Sequence, residues 1–266
     1  MSQIAANEIT LHYESAGQGQ PLLFITGVGY GAWFWHKLTP DLSRHYRVIT
    51  FDNRGVGQSS ADWTPYSTAL LAADAARPAS TRWASESAYV VGHSLGGFIA
   101  QELALARPAL VSKLVLAATT SGGPNVVPIT PEALDVLLNR SGDPLELIRR
   151  GIAVACAPGF AGTHPDVVAE LLAYRLQRPD CPGALPGAGH GRRSAQRRSA
   201  PGTNHLSGQR AFGEHDRVAP PANATLLAGL LPQASVTIIP TPATSSPSKT
   251  RPRPCRRCSI FFVVQF

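Results

Sequence analysis

From Val90 to Ala106 the chain reads VVGHSLGGFIAQELALA: an apolar run, then Ser94 among three glycines, then apolar residues at helical spacing. An uninterrupted apolar run is what a strand covered on both faces requires, and a strand passing straight into a helix is half of a β–α–β unit. Gly92 and Gly96 permit a tight turn with close strand-to-helix approach, which leaves the Ser94 hydroxyl at its apex. The helix N-terminus behind it favours negative charge developing there. Ser94 is therefore the candidate nucleophile.

The same alternation continues along the chain. Strands are predicted at Glu8 to Glu14, Pro21 to Gly27, Tyr46 to Asp52, Ser87 to His93, Val111 to Ala118, Gln209 to Glu214 and Ala234 to Pro240. The fold class is α/β, with a mostly parallel, doubly wound sheet. After Ala118 the pattern turns helical. Thr130, Asp143 and His164 each precede a proline at a first helical position, opening PEALDVLLNR, PLELIRRGIAVA and PDVVAELLAYRLQ. These helices are expected to form a small lid over the active edge of the sheet. From about Pro179 to Gln209, and again from Thr241 to Cys258, a Gly/Pro/Ser/Arg mixture presents no periodic apolar face, so the C-terminal region is expected to be incomplete or irregular.

Acyl transfer to a serine needs two backbone N–H donors aimed at the oxyanion. Leu95 supplies one by following the nucleophile, and Val28 in the TGVGYG loop is the candidate for the other. Just beyond, GAWFWHKL sets Trp33, Phe34 and Trp35 where aromatic walls suit an apolar acyl group, although core packing accounts equally for at least one of them.

With these residues in hand, the chain resembles the α/β-hydrolase fold superfamily over roughly residues 5 to 178 and 211 to 240. FDNRGVGQS (Phe51 to Ser59) resembles its D-x-R-G-x-G-x-S turn, and GEHDRVAPP (Gly213 to Pro221) its G-x-x-D-x-x-x-P acid loop. The resemblance implies Ser94 as nucleophile and Asp216 as the acid that orients the base. Thr26-Gly27 stands where such proteins usually carry His-Gly, which keeps the backbone donor while altering the side chain. The implied organisation is a core in residues 1–120, a lid and irregular segment in 121–205, C-terminal strands with the acid loop in 206–240, and a basic tail in 241–266. The implied activity is hydrolysis of small esters or lactones, with FDNRGVGQSS and the modest lid most similar to 3-oxoadipate enol-lactonase-like members. The same framework serves carbon–carbon bond hydrolases and perhydrolases. A catalytically impaired or non-catalytic binder of small molecules is the alternative from another class.

Composition narrows the partners. The net charge of +7 is confined to the C-terminal part: residues 1–185 hold 13 Lys+Arg against 15 Asp+Glu, whereas residues 186–266 hold 11 against 2. Those basic clusters lack apolar periodicity and interleaved aromatics, so no nucleic-acid partner is expected. The start MSQIAANEIT has no basic-then-apolar leader pattern, and no apolar run approaches the roughly 20 residues of a bilayer span, so a cytoplasmic protein with no membrane partner is expected. Four cysteines at irregular spacing, with CRRC lacking a second pair, point to no metal site, and no cofactor is implied.

The base is the difficulty. In this fold the chain order is Ser, Asp or Glu, then His, yet no histidine follows His215. His12, His36 and His45 read as ordinary strand or surface residues, His164 as a helix cap, His93 as part of the serine turn and His215 as turn chemistry. His190 in LPGAGHG has the right neighbours but precedes Asp216. The base is therefore unidentified and expected near Thr244. The codons of TPATSSPSKTR, shifted back one base, permit Asn-Ala-Gly-His-Leu-Phe-Ser-Ile-Glu-Asp-Pro, which is similar to the superfamily's histidine loop, with the histidine codon over Thr244. Shifts in PASTRWAS (Pro78 to Ser85) and CPGALPGAGH (Cys181 to His190) likewise permit helical patterns. Without a base, rate falls by roughly four to six orders of magnitude. DNA sequence across codons 178 to 258 is expected to show a displaced frame, and an independently confirmed continuous frame through Thr241 to Thr250 removes that explanation.

Overall fold

All the predicted strands join one sheet, and the central ones are apolar runs long enough to cross a core and short enough to end at a turn. The structure is a computed structural model that describes residues 2–61, 66–79, 87–139, 141–177, 207–214, 216–230 and 234–239. In chain order, β1 (Ser2–Ala6) and β2 (Ile9–Ala16) form a hairpin, and β3 (Pro21–Ile25) leads through a 3-10 turn (Ala32–Trp35) and α1 (Thr39–Leu42) to β4 (Arg47–Phe51). Next come α2 (Thr68–Ala79), β5 (Ala88–His93), α3 (Leu95–Ala106) and β6 (Val111–Ala117). Four helices follow: α4 (Pro131–Leu138), α5 (Pro144–Ala155), α6 (Phe160–Thr163) and α7 (Pro165–Gln177). Then β7 (Ser207–Gly213), α8 (Ala222–Leu230) and β8 (Ala234–Ile239) complete the described elements.

The strand order is β1-β2-β4-β3-β5-β6-β7-β8, with the β1–β2 and β2–β4 pairs antiparallel and the remaining pairs parallel. Leaving β3, the chain goes first to β4 on one side and then to β5 on the other. The ends of β3 and β5 therefore flank a crevice at the point where strand order reverses, the usual binding position in open α/β sheets.

Alternation along β3 divides the core. Leu23 and Ile25 face a layer with Leu71, Ile99 and Leu103 from α2 and α3. Leu22 and Phe24 face the other side with Trp35, Val91 and Val115. Burying each such side chain contributes about 1.5–3 kcal/mol. Two lid helices start as expected at Pro131 and Pro144, where Thr130 accepts from the Ala133 N–H and Asp143 from the Glu146 N–H. The hairpin strand β1 is an addition to the predicted set. It turns at Asn7 and Glu8, both at positive φ, and Glu8 stands where such turns usually carry glycine.

Beneath the hairpin lies a buried ion pair. Arg54 donates from Nε to Asp74 Oδ2 at 2.9 Å and from Nη2 to Oδ1 at 3.0 Å and to the Asn7 carbonyl at 3.1 Å. Asn7 Nδ2 donates to the same carboxylate at 2.7 Å, so the turn, the RG corner of the FDNRGVGQS stretch and α2 are tied at one point. Asp74→Ala strips a fully buried guanidinium of its counter-charge and is expected to lower the unfolding free energy by about 3–5 kcal/mol, measured by urea denaturation.

Candidate active site

Ser94 lies between the last residue of β5 and the first of α3 with φ 53° and ψ −117°, a region that residues with a Cβ avoid. Such a conformation costs of order 1–3 kcal/mol and persists only where surroundings over-determine it. Here they do. The Ser94 N–H donates to the Ala117 carbonyl at 2.9 Å, while its carbonyl accepts from the Gly97 N–H and from Thr119 Oγ1, both at 2.9 Å. The glycines are dictated by space: a Cβ on Gly96 would lie 2.1 Å from the Ile25 carbonyl oxygen, and one on Gly92 2.3 Å from the Gly96 carbonyl oxygen. The tight turn predicted around Ser94 is present.

The loop after β3 is held from below by Asp52. Its Oδ1 accepts from the Ala32 N–H at 2.7 Å and its Oδ2 from the Gln58 N–H at 2.9 Å. Ser59 Oγ donates to the Asp52 carbonyl at 2.6 Å and accepts from the His12 N–H at 2.9 Å. Asn53 Nδ2 donates to both the carbonyl and Oγ1 of Thr26 at 3.2 Å, so the residue standing where His is usual makes a side-chain hydrogen bond of its own. The FDNRGVGQS stretch thus acts as a clamp on the segment that carries Val28.

Ser94, Val28 and Asp216 all line one cavity of about 130 Å³ at the carboxyl ends of the parallel strands. Leu95, the other expected oxyanion donor, opens α3 directly beside it. Asp216 follows β7, and its Oδ1 accepts from the N–H groups of Val218 at 2.9 Å and Ala219 at 2.8 Å. Burial pushes its carboxyl above the usual carboxylate value, against the pull of those two N–H bonds. Lid residues including Leu137, Leu147 and Ile148 close the cavity with apolar surface.

The aromatic expectations divide. Phe34 lines the cavity, stacked on His93 with centroids 5.0 Å apart. Trp33, expected as a second wall, instead packs beneath the lid with Ile152, Val167 and Leu171 and stacks on Tyr174 at 4.8 Å and 4°. The reason is that the 3-10 turn sends successive side chains in different directions. Trp35 goes into the sheet core against Phe24. Tyr30 and Arg175 line the cavity as well. Neither was anticipated, although YG in the TGVGYG loop and the basic residue in the last turn of the third lid helix were the available signals.

Among the described residues His93 is the histidine on the cavity wall; burial lowers its pKa to about 4. His36, read from sequence as a surface residue, bridges the Trp33 carbonyl at 2.8 Å and Glu170 of α7 at 2.6 Å. His164 joins α6 to α7 with its ring stacked on Phe160. His190, His215 and the expected position of the base at Thr244 lie outside the described residues, as do most of Pro78 to Ser85 and all of Cys181 to His190. Cys156 is half-buried, and burial together with the Asp216 charge pushes its thiol up to about 12, well away from nucleophile behaviour. No helix among the described residues is long and apolar enough to cross a membrane.

Comparison with known proteins agrees with this fold. A protein described as a carbamate hydrolase from Azorhizobium caulinodans is 41% identical over 106 residues, 40% of each chain. A 2-hydroxy-6-oxononadienedioate/2-hydroxy-6-oxononatrienedioate hydrolase from Paraburkholderia xenovorans is 33% identical over 180 residues, covering 65% of this chain and 62% of that one. The chain thus spans less than two thirds of the length of these relatives. Among solved structures, the enol-lactonase from Burkholderia xenovorans superposes with a TM-score of 0.67 at 22% identity, covering 90% of this chain and 91% of that one, which speaks to the fold alone. Residues 20–179 match the family model for the alpha/beta hydrolase fold, and the chain belongs to that hydrolase family.

Proposed function

We propose that this protein is a serine hydrolase of small carboxylic esters or lactones that works through an acyl-enzyme. One observation carries the reading: a serine held at positive φ between a buried strand and a helix, facing the cavity it shares with Val28 and Asp216. In the proposed reaction, Ser94 Oγ attacks the carbonyl carbon and the N–H groups of Val28 and Leu95 receive the oxyanion. A histidine takes the serine proton and returns it to the leaving oxygen, Asp216 holds that histidine in orientation, and water then releases the acid. His93 does not suit the role of base. It sits on the serine's own turn, stacked on Phe34, and a group titrating near 4 is a weak proton acceptor at neutral pH. The resemblance puts the base after β8, near Thr244.

A second reading, a binder that holds a small molecule without turning it over, is favoured by the lack of any histidine after His215. The names of relatives extend the first reading to other bonds, since one is a hydrolase of an oxo-dienedioate and another, 42% identical over 113 residues, is described as a non-heme bromoperoxidase from Mycobacterium tuberculosis.

Incubation of the protein with p-nitrophenyl butyrate, followed by mass spectrometry of proteolytic peptides, separates these possibilities. The butyryl group is expected on Ser94, with p-nitrophenol release lost in Ser94→Ala. Turnover is expected to lie roughly four to six orders of magnitude below that of a complete triad while no histidine reaches the serine. Release that is unchanged in Ser94→Ala overturns the hydrolase reading, and retention of the intact ester without acylation favours the binder.

A further inference from the structure

The strand that delivers Ser94, β5, runs beside β6, and their last paired residues are His93 and Ala117. On leaving β6 the chain turns at once through Ala118, at φ 47°, which lines the cavity together with Ser94. The next residue, Thr119, is 2% exposed, and its Oγ1 donates to the Ser94 carbonyl at 2.9 Å. We propose that Thr119 is a positioning residue that aims the Leu95 N–H at the cavity by holding the opposite end of the same peptide group. The proposal deepens the hydrolase reading and rests on it for the role of that N–H toward an oxyanion, whereas the direction of the N–H does not depend on it.

A trans peptide is planar, so the carbonyl of Ser94 and the N–H of Leu95 point in opposite directions. The Ser94 carbonyl is directed along α3, since it also accepts from the Gly97 N–H at 2.9 Å. The Leu95 N–H is thereby sent outward past the helix N-terminus, among the donors that have no acceptor inside the helix. Rotating this peptide by half a turn would put a carbonyl oxygen where an oxyanion needs a donor. Helical geometry guards weakly against that rotation, because Ser94 has ψ −117°, outside the helical range. The plane it shares with Leu95 is set by what its carbonyl meets, and a second donor there adds to what a rotated peptide must give up.

The surroundings leave Thr119 little choice but to be that donor. A Cβ on Gly97 would lie 2.4 Å from Thr119 Cγ2 and 2.6 Å from its Oγ1, so the branched side chain sits directly on the glycine in the first turn of α3. Two substituents on its Cβ restrict the χ1 of a threonine, and with the methyl against Gly97 the hydroxyl faces the Ser94 carbonyl. The segment that carries it is fixed from both sides. Gln101 Nε2 donates to the carbonyls of Thr120 and Gly97, both at 3.0 Å, and the Ala118 N–H donates to the Ala211 carbonyl at 2.9 Å.

The test pairs Thr119→Val, which exchanges the hydroxyl for a methyl, with Thr119→Ser, which keeps it. The direction of the Leu95 N–H is read on the full chain as its amide residual dipolar coupling, with the amides of β5 and β6 as the internal frame. In the wild-type protein the coupling is expected to fit an N–H antiparallel to the Ser94 carbonyl, to shift in Thr119→Val and to stay in place in Thr119→Ser. The limiting rate at which p-nitrophenyl butyrate acylates Ser94, followed by mass spectrometry, is expected to fall about 10- to 100-fold in Thr119→Val with the half-saturating ester concentration unchanged. In Thr119→Ser it is expected to remain within about fivefold of wild type. A purely structural role would lower the melting temperature and leave both quantities where they were. Should Thr119→Val not fold, Thr119→Ala removes the hydroxyl without placing a methyl beside Gly97. A wild-type protein that is not acylated removes the hydrolase reading and leaves the coupling to decide the positioning of Leu95. A wild-type coupling that does not fit, a coupling unmoved by loss of the hydroxyl, an equal shift in Thr119→Ser, or a measurable wild-type acylation rate that loss of the hydroxyl leaves unchanged overturns the proposal.

Discussion

The candidate site depends on one close approach: the first turn of α3 lies against the end of β3 so tightly that position 96 has no room for a side chain. That contact brings the N-terminus of a helix, the strained backbone of Ser94 and the loop bearing Val28 into one corner of the sheet. Loosening it would separate Ser94 from the loop that carries Val28. The hydrogen bonds made by the Ser94 amide and carbonyl and the Asp52 carboxylate under the opposite loop hold the two sides of that corner independently. Strain at the serine is therefore sustained by a rigid surround rather than relieved by local movement.

A second layer of organisation comes from α7. Its contacts with residues 30 to 37 include an aromatic stack, a cation over a ring and a carboxylate shared by His36 and Lys37. Lid and core consequently meet through the very segment that follows the Val28 loop. The excess positive charge of the chain lies among residues 186–266, whereas among the described residues the cavity wall carries one cation, Arg175, and one carboxylate, Asp216.

Much of the architecture was legible because periodicity reports burial. Strands covered on both faces read as apolar runs, and Pro131 and Pro144 stand at the helix starts where their missing N–H groups are harmless. The features that escaped are those where a local rule was broken or a side chain's partner was remote. β1 was missed because Asn7-Glu8 lacks the glycine that usually marks its kind of turn. Trp33, Phe34 and Trp35 are neighbours with three different surroundings, which composition cannot separate. His36 and Glu170 are 134 positions apart in the chain, and nothing local in either announces the other.

The order of residues established a βα turn with a serine at its tip, an aspartate loop at the end of a later strand, and a helical insert between them, since each depends on short-range patterns of apolar and turn-forming residues. It also established that the customary histidine is missing from its place after the last strand. The folded molecule alone settled which of these meet: Ser94, Val28, Phe34, Arg175 and Asp216 on one cavity wall, and Trp33 withdrawn beneath the lid. The cause is that strand order and helix packing bring together residues separated by more than a hundred positions, and local propensity carries no record of distance.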